Sequence, residues 1–318
     1  MSVPAPLAVI TNRFSTLNAR QNNWIEPWLQ GQPNVHHFGI TGPAELPAIV
    51  GRCAELGIRT VVVNGGDGTA SQVFSALLAQ PLDPMPSVAL LPAGKTNMTA
   101  TRWGMGANKE EGLARLFDLR RRGLLSEQVE TRTLLGVHGG AGQHPVYGAF
   151  FGAADVVEGI LFCRRHLYPL PLPPGFSHAA ALGVLTWRCL MQSGKGSDVT
   201  VRDWDTPLES GRFFMIVATA LDEMLLGLRP SPADGPELGS SFHYMSLRPG
   251  TGAALRAVPR FLRRRIAPGR GLTVRRVQRL GLSFSGPYTL DGEMYTADRA
   301  QPLILDATRT LRFVRGTF

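Results

Sequence analysis

Asp67 is the residue most clearly placed to do chemistry, because of what surrounds it. Val61, Val62 and Val63 predict a short buried strand. Asn64-Gly65-Gly66-Asp67-Gly68-Thr69 then turns the chain, and Val73, Phe74, Leu77 and Leu78 predict a helix from about Thr69. A strand, a glycine turn and a helix N-terminus make an anion cradle. Glycines let the backbone approach a phosphate, and free N–H groups with the positive end of the helix dipole face it. A carboxylate in such a cradle repels phosphate unless it holds Mg2+ or handles a proton. Asp67 is therefore a candidate for either task, with a turn-stabilising, helix-capping role as the structural alternative.

Two further stretches carry related chemistry. Leu90–Gly104, LLPAGKTNMTATRWG, is again an apolar strand running into a polar turn with a glycine, and Tyr288–Tyr295 reads YTLDGEMY. Together the three stretches resemble the diacylglycerol kinase catalytic family, which includes bacterial lipid kinases and sphingosine kinases and is distantly related to NAD kinases. Gly65-Gly66-Asp67-Gly68-Thr69 matches its GGDGT signature in full. Pro92, Gly94 and Asn97 match most of its P-x-G-T-x-N-D loop, and Asp291-Gly292-Glu293 matches its DGE motif. Asn12 and Ser15 stand where the family's first loop reads N-P-x-S-G, and Thr41 ends the second strand. Pro232-Ala233-Asp234-Gly235 is similar to a shortened P-x-A-x-x-D-G stretch.

The resemblance spans nearly the whole chain and implies ATP and Mg2+ as cofactors. It implies ATP-dependent phosphorylation of a hydroxyl on a diacylglycerol-like or sphingoid lipid at a membrane surface. An NAD kinase-like enzyme and a nucleotide-binding protein with weakened catalysis are the alternatives. By the same resemblance Asp67 and Glu293 are the catalytic acids, Glu293 as general base. Asn12, Thr41, Gly65, Gly66, Asp67, Gly68, Thr69, Gly94, Lys95, Asn97 and Asp291 are nucleotide contacts, and Asp67 and Asp234 are metal ligands. The residues leave other readings open. Asp-Gly is also a good hairpin dipeptide, which would make Glu293 an exposed turn neighbour, and Asp234 fits a plain β-turn equally well. Lys95 departs from the family's threonine; it supplies charge to ATP phosphates or sits in solvent. Met98 replaces the family's aspartate, and a thioether cannot serve a hard cation. Gly94-Lys95-Thr96 is not a P-loop, because that motif needs glycine at the position of Ala89.

These loops need a scaffold, and the first 130 residues supply an alternation of strand and helix. LAVITN, VHHFGIT, TVVVNGG and SVALLPAG predict strands. Helical segments follow near Trp24–Leu29, in ELPAIVGRCAELG with Gly57 as C-cap, and from Asn108 to Gly123. Arg120, Arg121 and Arg122 at that last helix end complement the dipole. The pattern predicts a doubly wound parallel sheet, with the site at the strand carboxyl ends. After Glu130 short strands joined by Gly, Pro and Asp turns predict an antiparallel β-sandwich with one or two helical insertions. These include GRFFMIVATAL and LTVRRVQRLGLSFSG, with His138-Gly139-Gly140-Ala141-Gly142 as a hairpin turn. LYPLPLPP predicts an extended connector and SHAAALGVLTWRCLM a helix. The expected organisation is a nucleotide-binding domain over 1–130, completed by 300–318, and a β-rich lipid-substrate domain over 131–299.

Composition narrows the classes. The 318 residues are 44% apolar and 18% charged, ordinary globular values that favour two domains. The longest uncharged apolar run, Phe213–Leu221, is about half of what a membrane span needs. No basic n-region precedes the first apolar stretch, so it reads as a strand, and Cys53, Cys163 and Cys189 have no paired or metal-like spacing. A cytoplasmic protein is expected. The net charge of +9 is matched by nine arginines between Thr251 and Leu280, a stretch without an acid. That Arg256–Arg279 block predicts either a solvated face or peripheral attachment to an anionic membrane surface. No motif accompanies it that would suggest nucleic acid. The oligomeric state stays open, a homodimer included. Histidines and cysteines show no zinc spacing, and no nucleophile elbow occurs.

Overall fold

The computed structural model describes residues 4–21, 24–140, 144–155, 157, 161, 196–203, 206–232, 239–250 and 263–316. The chain divides into two compact units, Met1–Arg132 with Thr310–Phe318, and Thr133–Arg309. LYPLPLPP, SHAAALGVLTWRCLM, Asp234, Arg256 and Arg260 lie outside the described residues.

In the first unit the strands are β1 (Leu7–Asn12), β2 (Val35–Ile40), β3 (Thr60–Gly65) and β4 (Ser87–Pro92), and all run parallel in the order β2-β1-β3-β4. Strands β3 and β4 are buried at every position, which is why they read as unbroken apolar runs. The helices are α1 (Thr16–Arg20), α2 (Glu26–Leu29), α3 (Leu46–Glu55), α4 (Asp67–Leu78), α5 (Met98–Trp103) and α6 (Lys109–Arg121). Helix α6 lays Leu113, Leu116 and Phe117 on the sheet face formed by Leu7, Val9, Val62, Ala89 and Leu91. Its start is set by Asn108, whose Oδ1 accepts from the N–H of Glu110 and Glu111 at 2.9 and 3.2 Å. Arg120 does more than complement a dipole. It is buried, and its guanidinium donates to the carbonyls of Ala5, Pro33 and Asn34, tying α6 to the chain before β1 and β2.

Among the described residues after β4, twelve strands belong wholly to the second unit and two, β5 and β18, have residues in both units. In chain order they are β5 (Val129–His138), β6 (Val146–Gly148), β7 (Phe150–Ala153), β8 (Ser197–Asp203), β9 (Thr206–Phe213), β10 (Met215–Thr219), β11 (Arg229–Pro230), β12 (Phe242–Leu247), β13 (Arg265–Ile266), β14 (Leu272–Val277), β15 (Arg279–Ser283), β16 (Gly286–Leu290), β17 (Glu293–Ala297) and β18 (Leu303–Val314). The last part of β18 returns to the first unit. Phe313 pairs in parallel register with Val88 and sits fully buried between the rings of Phe74 and Trp103, at 5.4 and 5.3 Å.

The second unit is a β-sandwich. One sheet runs β14-β12-β10-β7-β16-β17, and β9, β8, β15 and the first part of β18 pair antiparallel in the other. Alternate residues of both sheets meet in one core, with Val199, Val201, Leu280 and Leu282 from one side and Phe151, Ile216, Phe242, Tyr244 and Leu290 from the other. Here the strand reading needs correcting. GRFFMIVATAL and LTVRRVQRLGLSFSG are each two strands in different sheets, broken at Phe214 and Gln278. The chain bends at these corners so that Phe213 and Ile216, and likewise Val277 and Leu280, all point into the same core. His138 to Gly140 opens the hairpin between β5 and β6, with positive φ at Gly139 and Gly140. Among the described residues no helix is long and apolar enough to cross a membrane.

His243 on β12 faces away from that core, opposite Arg276 and Thr219 in the neighbouring strands, and is 3% exposed. Burial first, and the Arg276 charge second, push its imidazole down from 6.5 to about 4, against the pull of Asp222. A depressed value means stability that is whole above pH 6.5 and lost as pH falls toward 4. The shift corresponds to about 3 kcal/mol. Urea unfolding at pH 7 and pH 4.5 should show most of this loss in the wild type and not in His243→Gln. Equal losses in the two proteins would mean that His243 does not carry the pH dependence.

Candidate active site

The carboxyl ends of β1, β3 and β4 bring the first unit's candidate residues together. The chain leaves β3 at Gly65, and Gly66 precedes α4, so that Asp67 and Gly68 lie in the helix's first turn. The Gly94 loop leaves β4 beside it. The two loops touch backbone to backbone: a Cβ on Gly94 would stand 2.5 Å from the Gly66 Cα, and one on Gly66 would stand 3.1 Å from the Gly94 Cα. No residue with a side chain fits either position without moving a main chain. Gly65 is equally confined, since its Cβ would meet the Thr69 side chain at 2.6 Å.

One carboxylate fastens these loops. Asp67 Oδ2 accepts the Met98 N–H at 3.0 Å and Oδ1 accepts the Thr99 N–H at 2.9 Å. Burial pushes its carboxyl above the usual range, opposed by the N–H groups of Thr99, Met98 and Asn97 and by the Thr99 hydroxyl. Asn97 closes the second loop on itself. Its Oδ1 accepts the Gly94 N–H at 2.7 Å, its Nδ2 donates to the Gly94 carbonyl at 2.9 Å, and its backbone is left-handed at φ +52. Asparagine tolerates that conformation better than most residues.

The first loop is tied in from the other side. Asn12 Nδ2 donates to Thr69 Oγ1 at 2.9 Å, while its Oδ1 accepts the Phe14 N–H. Buried Asn18 was not singled out in the sequence, yet its Nδ2 reaches the carbonyls of both Asn12 and Asn64, at 2.9 and 3.0 Å. Its Oδ1 accepts from the Trp24 indole, over whose ring the buried Lys109 ammonium lies at 4.3 Å. A lone asparagine inside a five-residue helix gives no sequence signal of such a role. Thr41, in contrast, turns to its own neighbourhood. Its N–H and hydroxyl both donate to Glu45, at 2.7 and 2.8 Å.

The second unit holds the DGE residues. Asp291 and Gly292 have φ of +48 and +88, a two-residue hairpin turn joining β16 to β17. The Asp291 carboxylate is buried and accepts the N–H of Ala149 at 2.8 Å and of Phe150 at 2.9 Å. It fills the space where a Gly148 side chain would be, 2.2 Å from that Cβ position. Glu293 opens β17 half-buried, and its charge helps to raise the Tyr295 phenol, behind burial as the larger cause. Tyr295 stacks on Tyr288 with centroids 5.3 Å apart. Asp234 lies outside the described residues.

Residues 6–124 match the diacylglycerol kinase catalytic domain. That stretch holds Asn12, Thr41 and both glycine loops, so the resemblance read from the sequence holds there. Over 52 residues the chain is 44% identical to a Yersinia enterocolitica protein named "Probable lipid kinase YegS-like", and 42% identical to a Yersinia pestis protein of the same name. Each match spans 16% of this chain and 18% of the relative's length. A diacylglycerol kinase from Bacillus anthracis has the same fold over 99% of this chain and 98% of its own, at 11% identity and a TM-score of 0.61. A yeast NADH kinase does so over 99% and 84%, at 10% identity and a TM-score of 0.50. At such identities the likeness concerns the fold alone.

The Asp67 clamp is open to a direct test. Asp67→Asn keeps one acceptor but turns an NH2 group toward a backbone N–H, which should cost about 1–3 kcal/mol. The melting temperature should fall by several degrees. Unchanged melting would show that the carboxylate does not hold the two loops together.

Proposed function

We propose that the protein is an ATP-dependent lipid kinase that phosphorylates a hydroxyl of a diacylglycerol-like or sphingoid lipid at a membrane surface. The observation that carries this reading is the contact of two glycine loops at Gly66 and Gly94 inside the matched kinase domain. Glycine positions at the N-terminus of the twelve-residue α4 leave backbone open to the β- and γ-phosphates of ATP. In this reading Asn12, Thr69 and Asn97 hold the loops in shape, and Lys95 brings positive charge. Mg2+, which the resemblance implies, would add charge neutralisation in the transfer step when bound.

The reaction needs little covalent work from the protein. Glu293, the general base, takes the proton of the acceptor hydroxyl. The freed oxygen attacks the γ-phosphorus, the bond to the bridging oxygen breaks, and ADP leaves with a lipid phosphate monoester as the other product. A second reading, a nucleotide-binding protein with weakened catalysis, is favoured by Met98 and by an Asp67 whose two oxygens already accept backbone N–H groups.

Membrane attachment belongs to the same proposal. Arg263, Arg264, Arg265, Arg270 and Arg275 are exposed. With Arg256 and Arg260 in the same block they suit anionic headgroups, with the protein held peripherally on the cytoplasmic side.

Two measurements test the reading. Incubation with ATP labelled in the γ-phosphate and a panel of lipids should give a labelled lipid, and Glu293→Gln should lower that rate by about 10²-fold or more. ATP binding without any labelled lipid would favour the weakened protein instead. Reversal of Arg263, Arg264 and Arg265 to Glu should weaken binding to anionic vesicles by several kcal/mol at low salt, at about 1 kcal/mol per basic residue plus repulsion. ATP binding should stay intact. Wild-type protein that ignores such vesicles at low salt would end the membrane reading.

A further inference from the structure

The glycine loops are poor ground for a resident Mg2+ ion. Among the described residues no group of three His, Cys, Asp or Glu side chains is gathered to hold a metal ion. Asp67 presents two oxygens that each already accept an N–H, and the next candidate position carries the thioether of Met98. A soft sulfur does not replace a carboxylate toward Mg2+. The family resemblance implies a metal network here, and the donors on these loops do not fit one.

The same loops gather positive charge instead. The Leu17 N–H donates to the Ala93 carbonyl at 3.0 Å, which brings α1 against the start of the Gly94 loop. Arg20 ends α1, and Lys95 follows Gly94 directly. The two cations are near enough that the Arg20 charge lowers the proton affinity of the Lys95 amine, after burial as the larger cause. Arg20 is exposed and Lys95 half-buried. Like charges on neighbouring elements repel each other, and a polyanion between them relieves the repulsion. Their chemistries are also complementary for phosphate, a planar fork from arginine and a compact point charge from lysine.

We propose that Arg20 and Lys95 form a clamp that takes the polyphosphate of ATP directly, so that nucleotide binding by this protein does not depend on Mg2+. The inference rests on the kinase reading and deepens it. It assigns the neutralisation of phosphate charge in the ground state to two side chains rather than to a metal. Arg20 is the new residue in this assignment, and it comes from a part of the chain that no glycine motif marks.

Calorimetric titration of the full chain with ATP, once with Mg2+ and once with EDTA, reads the proposal. The two dissociation constants should agree within about fivefold, and Arg20→Gln and Lys95→Thr should each weaken ATP binding in EDTA by about tenfold. Melting curves confirm that the variants are folded. Binding that Mg2+ strengthens more than about fivefold overturns the clamp while leaving the kinase reading in place. So do folded variants that bind ATP in EDTA as the wild type does. No ATP binding in either buffer would overturn the clamp and the nucleotide-binding reading together.

Discussion

Two backbones can approach as closely as those of Gly66 and Gly94 only where neither residue has a side chain, and contact alone does not keep them there. The Asp67 carboxylate does so by reaching from the first turn of α4 to the N–H groups of Met98 and Thr99. From this one bridge much of the first unit's site follows. Thr69 is fixed by Asn12, the Gly94 loop is folded over by Asn97, and Leu17 carries α1 to Ala93. Each bond is ordinary in strength. Their value lies in leaving the loop backbones little freedom to rearrange when a charged ligand arrives.

Asp291 repeats the device in a different setting. At a hairpin between antiparallel strands, it accepts two successive backbone N–H groups, those of Ala149 and Phe150. Ala149 is also the corner at which β6 gives way to β7 in the other sheet. Such a corner leaves main-chain donors without ladder partners, and a buried carboxylate is an effective acceptor for them. The aspartates of the GGDGT and DGE motifs therefore share a structural task, the anchoring of a neighbouring loop. Glu293 follows the second anchor at the first position of β17, so the anchored turn sets where that strand begins.

The first unit was readable because its signals are local. Apolar runs of parallel strands, the Asn108 cap and the glycines that follow α3 and α6 act within a few residues of themselves. The sandwich was readable as a class but not strand by strand. GRFFMIVATAL keeps its apolar character straight through the corner at Phe214, since both halves feed one core, and alternation carries no mark of a change of sheet. At the site, the glycine motifs announced themselves while Asn18 and Trp24 did not. Their roles depend on partners such as Asn64 and Lys109, which lie dozens of positions away and are brought close only by the fold. Thr41 shows the opposite limit: a residue in the expected place spends its donors on Glu45.

The return of β18 to the first unit has a consequence for the order of assembly. Phe313 supplies an aromatic plug between Phe74 and Trp103, and it belongs to the last segment of the chain to join the first unit, Thr310–Phe318. On the ribosome, the N-terminal sheet emerges long before this plug. Until the whole sandwich has been translated, the nascent first unit carries an unfilled hydrophobic groove beside β4. Its maturation is thus tied to completion of the other unit, and a chain released early would expose that groove to chaperones or proteases rather than present a finished first unit.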